Sequence, residues 1–271
     1  MRICVTGHLG FIGSHVLRVL GKHEVAGVDK KTGMNIAFGK FLWSACKFKP
    51  DLIVHLAATC STSHSLLDPA GDFRDNTIGT FNVCEVARIT GAKVLYTSTC
   101  KVVPGEDGAR TPYGLTKYMG ELILEEYNKV YGVEYIINRP GTIYGQGQEG
   151  SPESGWLAWF IKAKRENLPI IIYGDGKQSR DVLWVEDYTK LIKDQIENWD
   201  KYKGQVYNIG GGEWNELTLL EALELLEYKN YTFAEERKGD IKRFMSDNKL
   251  VSSINGWEPQ MGYQEGIKKL L

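Results

Sequence analysis

The sequence predicts an α/β fold, in which a doubly wound parallel sheet is followed by a smaller mixed C-terminal lobe. Three observations lead to this prediction. Short apolar, β-rich segments alternate with stretches of helical periodicity through the first half of the chain. A glycine-rich turn follows the first of these segments, and an aspartate ends the second. After about Tyr144 the alternation gives way to a loop-rich texture.

The predicted strands read as nearly unbroken apolar runs, as strands buried on both faces of a parallel sheet do. They cover residues 2–6, 25–28, 52–56, 94–97 and 134–138. Helical periodicity between them predicts helices at 76–90 and 113–131.

The C-terminal part of the chain reads as a loop at 146–155, an amphipathic helix at 155–167 and a strand within 169–176. A last helix is predicted to start at Thr218, capped by its hydroxyl and closed by Glu221. Residues 206–211 are expected to return a strand to the main sheet.

These patterns predict two parts. Residues 1–145 form the core, to which 174–212 return, and residues 146–173 and 213–271 form the smaller lobe.

Charge excludes some classes of partner. The 33 Lys and Arg residues balance 34 Asp and Glu residues, so the formal net charge is -1. Such a chain has no field that attracts nucleic acid or an anionic membrane, and no apolar run approaches transmembrane length. Neither partner is expected.

The cysteines and the N-terminal pattern predict a cytoplasmic protein. The 5 cysteines are odd in number, scattered and never spaced C-x-x-C, which is typical of a reducing compartment. The first residues, MRICVTGHLG, enter a strand pattern without a charged region followed by an apolar signal core. No histidine pair has metal-ligand spacing with a carboxylate, so no metal is predicted.

The glycine-rich turn Gly7-His8-Leu9-Gly10-Phe11-Ile12-Gly13 lies between a predicted strand and an apolar helix. Glycines in this position let the backbone approach a pyrophosphate at the helix N-terminus. The position predicts a Rossmann-like dinucleotide site; the alternative is a tight structural turn.

Asp29 ends the second predicted strand, where a carboxylate can bind the adenosine ribose and repels a 2′-phosphate. This favours NAD over NADP. The adjacent Lys30 and Lys31 could accommodate a phosphate or be solvated, and Asn35 could bind the adenine edge or serve a turn.

Tyr113 and Lys117 are four residues apart at the start of a predicted helix, so they share one face. A nearby ammonium favours the phenolate, which would make Tyr113 a general base near neutral pH. Thr99 follows a predicted strand, at the sheet edge where ligands of open α/β sheets bind, and can position a sugar hydroxyl.

In order and spacing, these motifs resemble the extended short-chain dehydrogenase/reductases, the family of NAD-dependent nucleotide-sugar epimerases and dehydratases. The resemblance covers nearly the whole chain and is carried by TGHLGFIG, Asp29, HLAA, the Asn76-x-x-Gly79-Thr80-x-Asn82 helix start, TSTCKV, YGLTK and RPGTIYG. It implies a nucleotide-diphosphate sugar as substrate, a substrate-binding C-terminal lobe and a homodimer packed through the helices at 76–90 and 113–131.

The resemblance also implies the site residues. Those for catalysis are Thr99, Tyr113 and Lys117. Those for NAD are Gly7, Gly10, Phe11, Ile12, Gly13, Asp29, Lys30, Asn35, Ile36, Leu56, Ala57, Ala58, Asn76, Thr97, Ser98, Tyr113, Lys117 and Pro140. Those for the substrate are Thr99, Cys100, Lys101, Arg180 and Arg237, with the two arginines on the diphosphate. Arg180 could instead form a structural ion pair with Asp181.

Departures within the family point to a reaction. Dehydratases place an acidic residue two positions after the catalytic threonine, and Lys101 stands there. The string STCKV and the tryptophan-rich segment at 155–160 resemble CDP-paratose 2-epimerases. The resemblance therefore implies epimerisation by transient hydride transfer. The alternatives are 4-epimerisation or reduction of a UDP- or dTDP-sugar, and a non-catalytic NAD(H)-sensing protein.

The chain is shorter between Asp29 and Pro50 than such epimerases are. A strand and a helix are expected to be missing or merged there.

Overall fold

The computed structural model describes residues 1–105, 108–236 and 241–271. The chain divides into two compact units. The first comprises Met1–Val103, Arg110–Arg139 and Thr189–Tyr207, and the second comprises Pro104–Ala109, Pro140–Tyr188 and Asn208–Leu271. The expected bounds differ from these mainly at 174–188, which were expected in the core and lie in the second unit.

A six-stranded sheet forms the centre of the first unit, with the order β2-β1-β3-β4-β5-β9. Its strands are β1 (Arg2–Thr6), β2 (Glu24–Val28), β3 (Leu52–His55), β4 (Lys93–Thr97), β5 (Tyr135–Pro140) and β9 (Val206–Ile209). The pairs from β2 to β5 are parallel. The predicted doubly wound parallel sheet is confirmed, and β9 returns to it as expected.

Helices connect these strands. They are α1 (Phe11–Val19), α2 (Gly39–Phe48), α3 (Thr62–Leu67), α4 (Pro69–Asp72), α5 (Gly79–Thr90), α6 (Pro112–Tyr131), α8 (Val185–Glu197) and α9 (Trp199–Tyr202). A π-helix at Phe73–Ile78 joins α4 to α5. The α5 helix packs against both α2 and α6. Apolar side chains of this layer and of the sheet form one buried core.

The strand order reverses direction between β1 and β3. Ligands of open α/β sheets bind outside the carboxyl ends of the strands at such a point. The loops after β1 and β3 are therefore the positions that the topology favours for a site.

The segment between Asp29 and Leu52, all of which is described, contains one 3₁₀ turn (Lys30–Thr32) and α2 but no strand. The β2 strand is therefore an edge strand. This agrees with the short sequence of the segment.

The second unit has its own core and two small sheets. Its strands are β6 (Thr142–Tyr144), β7 (Ile170–Tyr173), β8 (Ser179–Trp184), β10 (Glu216–Thr218), β11 (Tyr231–Ala234) and β12 (Arg243–Phe244). The strands β10, β6 and β12 pair with β8, and β7 pairs with β11. Its helices are α7 (Trp156–Glu166), α10 (Leu219–Leu225), α11 (Lys249–Asn255) and α12 (Tyr263–Leu270).

The Thr218 cap is confirmed as a reciprocal capping box. Thr218 Oγ1 accepts from the Glu221 amide at 3.1 Å, and Glu221 Oε2 accepts from the Thr218 amide at 2.9 Å. The expectation that this helix is the last is wrong, because α11 and α12 follow it. These two helices have only seven and eight residues, so their periodicity is short.

No helix among the described residues is both long enough and apolar enough to cross a bilayer.

Candidate active site

The glycine turn after β1 is too tight for side chains at two positions. Gly7 has φ +74°, and its amide donates to the Val28 carbonyl at 2.7 Å. A Cβ at Gly7 would lie 2.8 Å from the Ala57 nitrogen, and one at Gly13 would lie 2.1 Å from the Gly7 oxygen. The first turn of helix α1 therefore packs directly against the glycine-rich loop that precedes it, as a pyrophosphate site requires.

The start of α1 is suited to an anion. Gly10 is the residue before the helix and supplies no side-chain cap, and Phe11, Ile12 and Gly13 begin the first turn, which holds no acidic residue. The helix dipole and the amides of this turn attract negative charge.

Asp29 is buried at the end of β2 and points to the glycine turn. Its Oδ2 accepts from the Leu9 amide at 3.2 Å, and its Oδ1 accepts from the Lys31 amide at 2.9 Å. These bonds fix the carboxylate, while each oxygen keeps a lone pair for a ribose hydroxyl.

The neighbouring residues predicted to bind the cofactor have protein partners. Lys30 Nζ lies 3.6 Å from Asp75 Oδ2. Asn35 donates to Asp75 at 3.3 Å and accepts from the Ala37 amide at 2.8 Å. Ile36 is buried in the core of the first unit. Their roles toward a cofactor stay predictions.

A chain of hydrogen bonds that was not predicted from the sequence supports the loop after β3. Thr6 Oγ1 accepts from the Leu56 and Ala57 amides at 3.2 Å. The Thr6 hydroxyl therefore donates its proton to His55 Nδ1, 2.8 Å away. On the other side of the ring, His55 Nε2 donates to Thr80 Oγ1 at 3.0 Å. Leu56 and Ala57, two of the loop residues predicted to bind the cofactor, are therefore held by these bonds, and the third, Ala58, follows them directly.

Within this series of hydrogen bonds, His55 is fully buried between β1 and α5. Burial and then the charge of Lys117 lower the pKa of His55 well below its usual value. The imidazole is therefore neutral at pH 7. A histidine within an otherwise apolar strand run was the only sequence signal for this role.

The start of α6 places Tyr113 and Lys117. Thr111 caps the helix by accepting from the Gly114 amide at 3.2 Å, and proline occupies the first helical position. A Cβ at Gly114 would lie 2.2 Å from the Lys101 oxygen, so only glycine lets the helix reach the loop after β4. The Tyr113 side chain forms a hydrogen bond with the Thr99 side chain in that loop.

Lys117 is 2% exposed, and its Nζ lies 4.2 Å from the ring centre of Tyr96 on β4. Burial lowers the pKa of Lys117 to about 7, and the charges of Glu121, Cys60 and Asp72 oppose this effect. The ring face supplies a cation–π contact that favours the ammonium form.

Burial also raises the pKa of Tyr113, although its hydrogen bond with Thr99 acts in the other direction. The spacing of Tyr113 and Lys117 in the sequence predicts instead that the ammonium lowers this pKa to near neutrality. That expectation is wrong, because burial is the largest cause and raises the pKa of Tyr113.

Ser98 has a protein partner as well. It donates to the fully buried Glu121, which forms a bidentate pair with Arg139 at 2.9 and 2.5 Å.

Thr97 ends β4 and is buried. Asn76 lies in the π-helix, where its amide bonds Thr59 of the loop after β3. The structure thus brings together Thr97 at the end of β4, Ser98 and Thr99 in the loop that follows, and Tyr113 and Lys117 on α6.

The predicted substrate residues that the structure describes belong to both units. Cys100 and Lys101 form a 3₁₀ turn after Thr99, whose Oγ1 accepts from the Lys101 amide at 3.3 Å. Pro140 ends β5. Arg180 lies on β8 in the second unit and donates to its neighbouring Ser179 carbonyl at 2.7 Å. Arg237 lies outside the described residues.

Comparisons with known proteins agree with this geometry. The NAD dependent epimerase/dehydratase family matches residues 3–210. CDP-paratose 2-epimerase of Salmonella typhi is 30% identical over 336 aligned positions, which cover 100% of this chain and 98% of that protein.

Two solved structures are similar throughout. UDP-glucose 4-epimerase of Thermotoga maritima, with UDP-glucose, has a TM-score of 0.88 at 28% identity, covering 99% of this chain and 96% of that one. UDP-glucose 4-epimerase of Thermus thermophilus, in complex with NAD, has a TM-score of 0.86 at 27% identity, covering 99% and 97%. On the family match and these full-length similarities, the chain belongs to the NAD dependent epimerase/dehydratase family.

Proposed function

We propose that this protein is a nucleotide-sugar epimerase that uses bound NAD to invert one carbon of its substrate by transient hydride transfer. The observation that carries the proposal is the grouping of Tyr113 and Lys117 on α6 with Thr99 in the loop after β4, in the unit that holds the glycine turn and Asp29. A dinucleotide site without such a group would support binding alone.

The chain's residues divide the work. The glycine turn and the start of α1 hold the pyrophosphate, and Asp29 holds the adenosine ribose. The chemistry that NAD supplies when bound is reversible hydride transfer with the sugar carbon. Tyr113 takes the hydroxyl proton during oxidation and gives it back during reduction, while Thr99 hydrogen-bonds the same oxygen.

Lys117 tunes this phenol. Because burial raises the pKa of Tyr113, the phenol is neutral until positive charge beside it increases. An ammonium at Lys117 supplies part of that charge. Proton transfer is then possible near neutral pH.

The substrate class is a nucleotide-diphosphate sugar, and a CDP-linked dideoxyhexose inverted at carbon 2 is the main candidate. Support comes from STCKV, the full-length relative in Salmonella typhi and Lys101, which offers no carboxylate for dehydration. Cys100 and Lys101 are proposed to contact the sugar, and Arg180 and Arg237 the diphosphate. Similarity to two UDP-glucose 4-epimerases keeps 4-epimerisation of a UDP- or dTDP-sugar as the second candidate.

One experiment separates these candidates. Nucleotide released from the purified protein by heat is identified by mass, and CDP-, UDP- and dTDP-sugars are screened for thermal stabilisation. NAD retained through purification and stabilisation by a CDP-sugar are expected. Ready exchange with NADPH would favour a reductase. Solvent deuterium entering the inverted carbon would contradict direct hydride return.

The Tyr113→Phe variant tests whether the protein is a catalyst or a sensor. The change removes the acid–base group and leaves the ring, so we expect turnover to fall by about 10²- to 10⁴-fold. Retention of NAD, measured by absorbance after gel filtration, should be unchanged. Unaltered activity in this variant would favour the non-catalytic NAD(H)-sensing protein.

We also propose a homodimer, in the cytoplasm. Apolar side chains on the π-helix, α5 and α6 are exposed, and such a patch is typical of an interface. They are Ile78, Phe81, Ile89, Leu115 and Leu122. The absence of any disulfide among the five cysteines, all of which are described, supports a reducing compartment.

A further inference from the structure

A buried carboxylate without a cationic partner lies near the proposed catalytic pair. Asp72, the last residue of α4, is 2% exposed. Its Oδ2 accepts from Thr116 Oγ1 at 2.6 Å and from Asn76 Nδ2 at 3.1 Å. Its Oδ1 accepts from the Thr59 hydroxyl. All three donors are neutral, so the hydrogen bonds are satisfied while the charge is not paired.

This arrangement is costly unless the charge has a use. Across residues 1–105, 108–236 and 241–271, no lysine or arginine forms an ion pair with Asp72. Burying an unpaired carboxylate is strongly unfavourable. An asparagine has the same shape, and the two hydroxyls could rotate to bond it, so hydrogen bonding alone does not require an acid.

The three donors connect Asp72 to the proposed active site. Thr116 directly precedes Lys117 on α6. Thr59 belongs to the loop after β3, and its amide donates to Asn76 Oδ1 at 2.9 Å. Asp72 therefore joins α4, the loop after β3 and the first turns of α6.

We propose that Asp72 is a positioning residue for the Tyr113–Lys117 pair: its carboxylate anchors Thr116, and its negative charge holds the neighbouring Lys117 as an ammonium ion. The inference rests on the proposed function, in which these two residues are the catalytic pair. It gives α4 a role in the reaction, in addition to the roles already assigned to the glycine turn, the loop after β4 and α6.

Groups on several elements face Lys117. They are Glu121 on α6, Cys60 after β3, His55 on β3, Tyr96 on β4 and Asp72 on α4. Among the causes that raise the pKa of Lys117, Glu121 comes first, then Cys60 and Asp72.

The charge of Asp72 differs from the others in one respect. Glu121 shares its charge with Arg139, at 2.5 Å. A cysteine contributes charge only when it is ionised. The Asp72 carboxylate is not shared with an arginine or a lysine among the described residues, and it is one of the groups that raise the pKa of Lys117.

The test is the ionisation of Lys117 itself, read from the ¹³Cε shift of lysine-labelled protein across a pH series. The Lys117 signal is assigned with Lys117→Arg. In Asp72→Asn we expect the midpoint to fall by about one pH unit, because a nearby negative charge is removed. The alkaline limb of kcat should move in the same direction, with KM nearly unchanged.

Asp75→Asn is the matched control. It removes the same charge three residues away, but Asp75 is paired with Arg74 at 3.0 Å and with Lys30 at 3.6 Å. The Lys117 midpoint should not move in this variant. If Asp72→Asn fails to fold, Asp72→Ser replaces it, because the smaller side chain leaves room for a water between the two hydroxyls.

The outcomes separate the two proposals. A Lys117 midpoint that is the same in Asp72→Asn or Asp72→Ser as in the wild type would overturn the inference, even if kcat falls. Epimerase activity together with that result would leave the proposed function standing. A lowered midpoint in a protein that epimerises no nucleotide sugar would support the effect on Lys117 and refute the proposed function.

Discussion

Individual ionisable side chains in this site are governed by burial more than by their neighbours. Tyr113, Lys117 and His55 are all shielded from water, and burial is the first cause of each pKa change. Burial thus shifts each of the three toward its neutral form, and the nearby negative charges oppose this shift at Lys117. Charge introduced beside them has a large effect in such surroundings, because water does not screen it.

The buried His55 predicts a loss of stability in acid. Its pKa is lowered on folding, so below about pH 6.5 the unfolded chain binds a proton that the folded protein does not. The free energy of unfolding should therefore fall with decreasing pH, by up to about 1.4 kcal/mol per pH unit from this group. Urea denaturation between pH 7 and pH 5 measures this slope.

Two variants isolate the contribution of His55. The His55→Gln protein should be less stable at pH 7, since the Thr6–His55–Thr80 chain is disturbed, but its slope should be shallower. The exposed His64 on α3 provides the control, and His64→Gln should keep the wild-type slope. Equal slopes in wild type and His55→Gln would show that other groups cause the acid loss.

At the scale of elements, the close approach of a helix to a turn decides where side chains are tolerated. The contact of α1 with the Gly7 carbonyl leaves no room for a methyl group at Gly13. By contrast, a methyl group at Gly39, the first residue of α2, would meet nothing within 4 Å. The two glycines occupy similar places in their helices and have opposite requirements.

Gly13 and Gly39 are expected to respond in opposite ways to replacement by alanine. Gly13→Ala should lower stability by about 1–3 kcal/mol through overpacking and weaken NAD binding at least about tenfold, as the turn must shift. Gly39→Ala should be neutral or stabilising by up to about 1 kcal/mol, because it only reduces the freedom of the unfolded chain. Thermal unfolding and NAD titration measure both. Retained NAD affinity in Gly13→Ala would contradict the assigned role of the turn.

At the scale of the whole molecule, the exposed apolar surface on α5 and α6 is the feature on which the proposed dimer interface depends. Phe81 is 44% exposed and packs edge-on against Tyr127. Arg88 lies over the ring of the neighbouring Tyr131. Aromatic and arginine side chains of this kind are enriched at the centres of interfaces.

The Phe81→Glu variant should therefore be monomeric where the wild type is a dimer, since it places a charge in an apolar contact. Light scattering after gel filtration at micromolar concentration gives the mass of each. Phe233→Glu is the control, because Phe233 is 56% exposed on β11 of the second unit. It should not change the mass. A monomeric wild type, or a dimeric Phe81→Glu, would refute the proposed interface.

Local patterns along the chain were enough to predict the core strands and their parallel sheet, the glycine turn, the Asp29 position and the helical pair of Tyr113 and Lys117. Each of these depends on residues close in sequence: a strand run, a turn between two elements, or a spacing of four on a helix. The family resemblance depended on the same short motifs.

The tertiary structure alone decided how those motifs are held and ionised. Thr6, His55 and Thr80 meet across 49 and 25 residues, and Asp72 meets Thr116 across 44. Lys30 and Asn35 turn to Asp75, which is distant from both in sequence. No local pattern encodes such partners, because they are chosen by the packing of elements. Solvent exclusion, which sets the charge of the buried groups, exists only once that packing is complete.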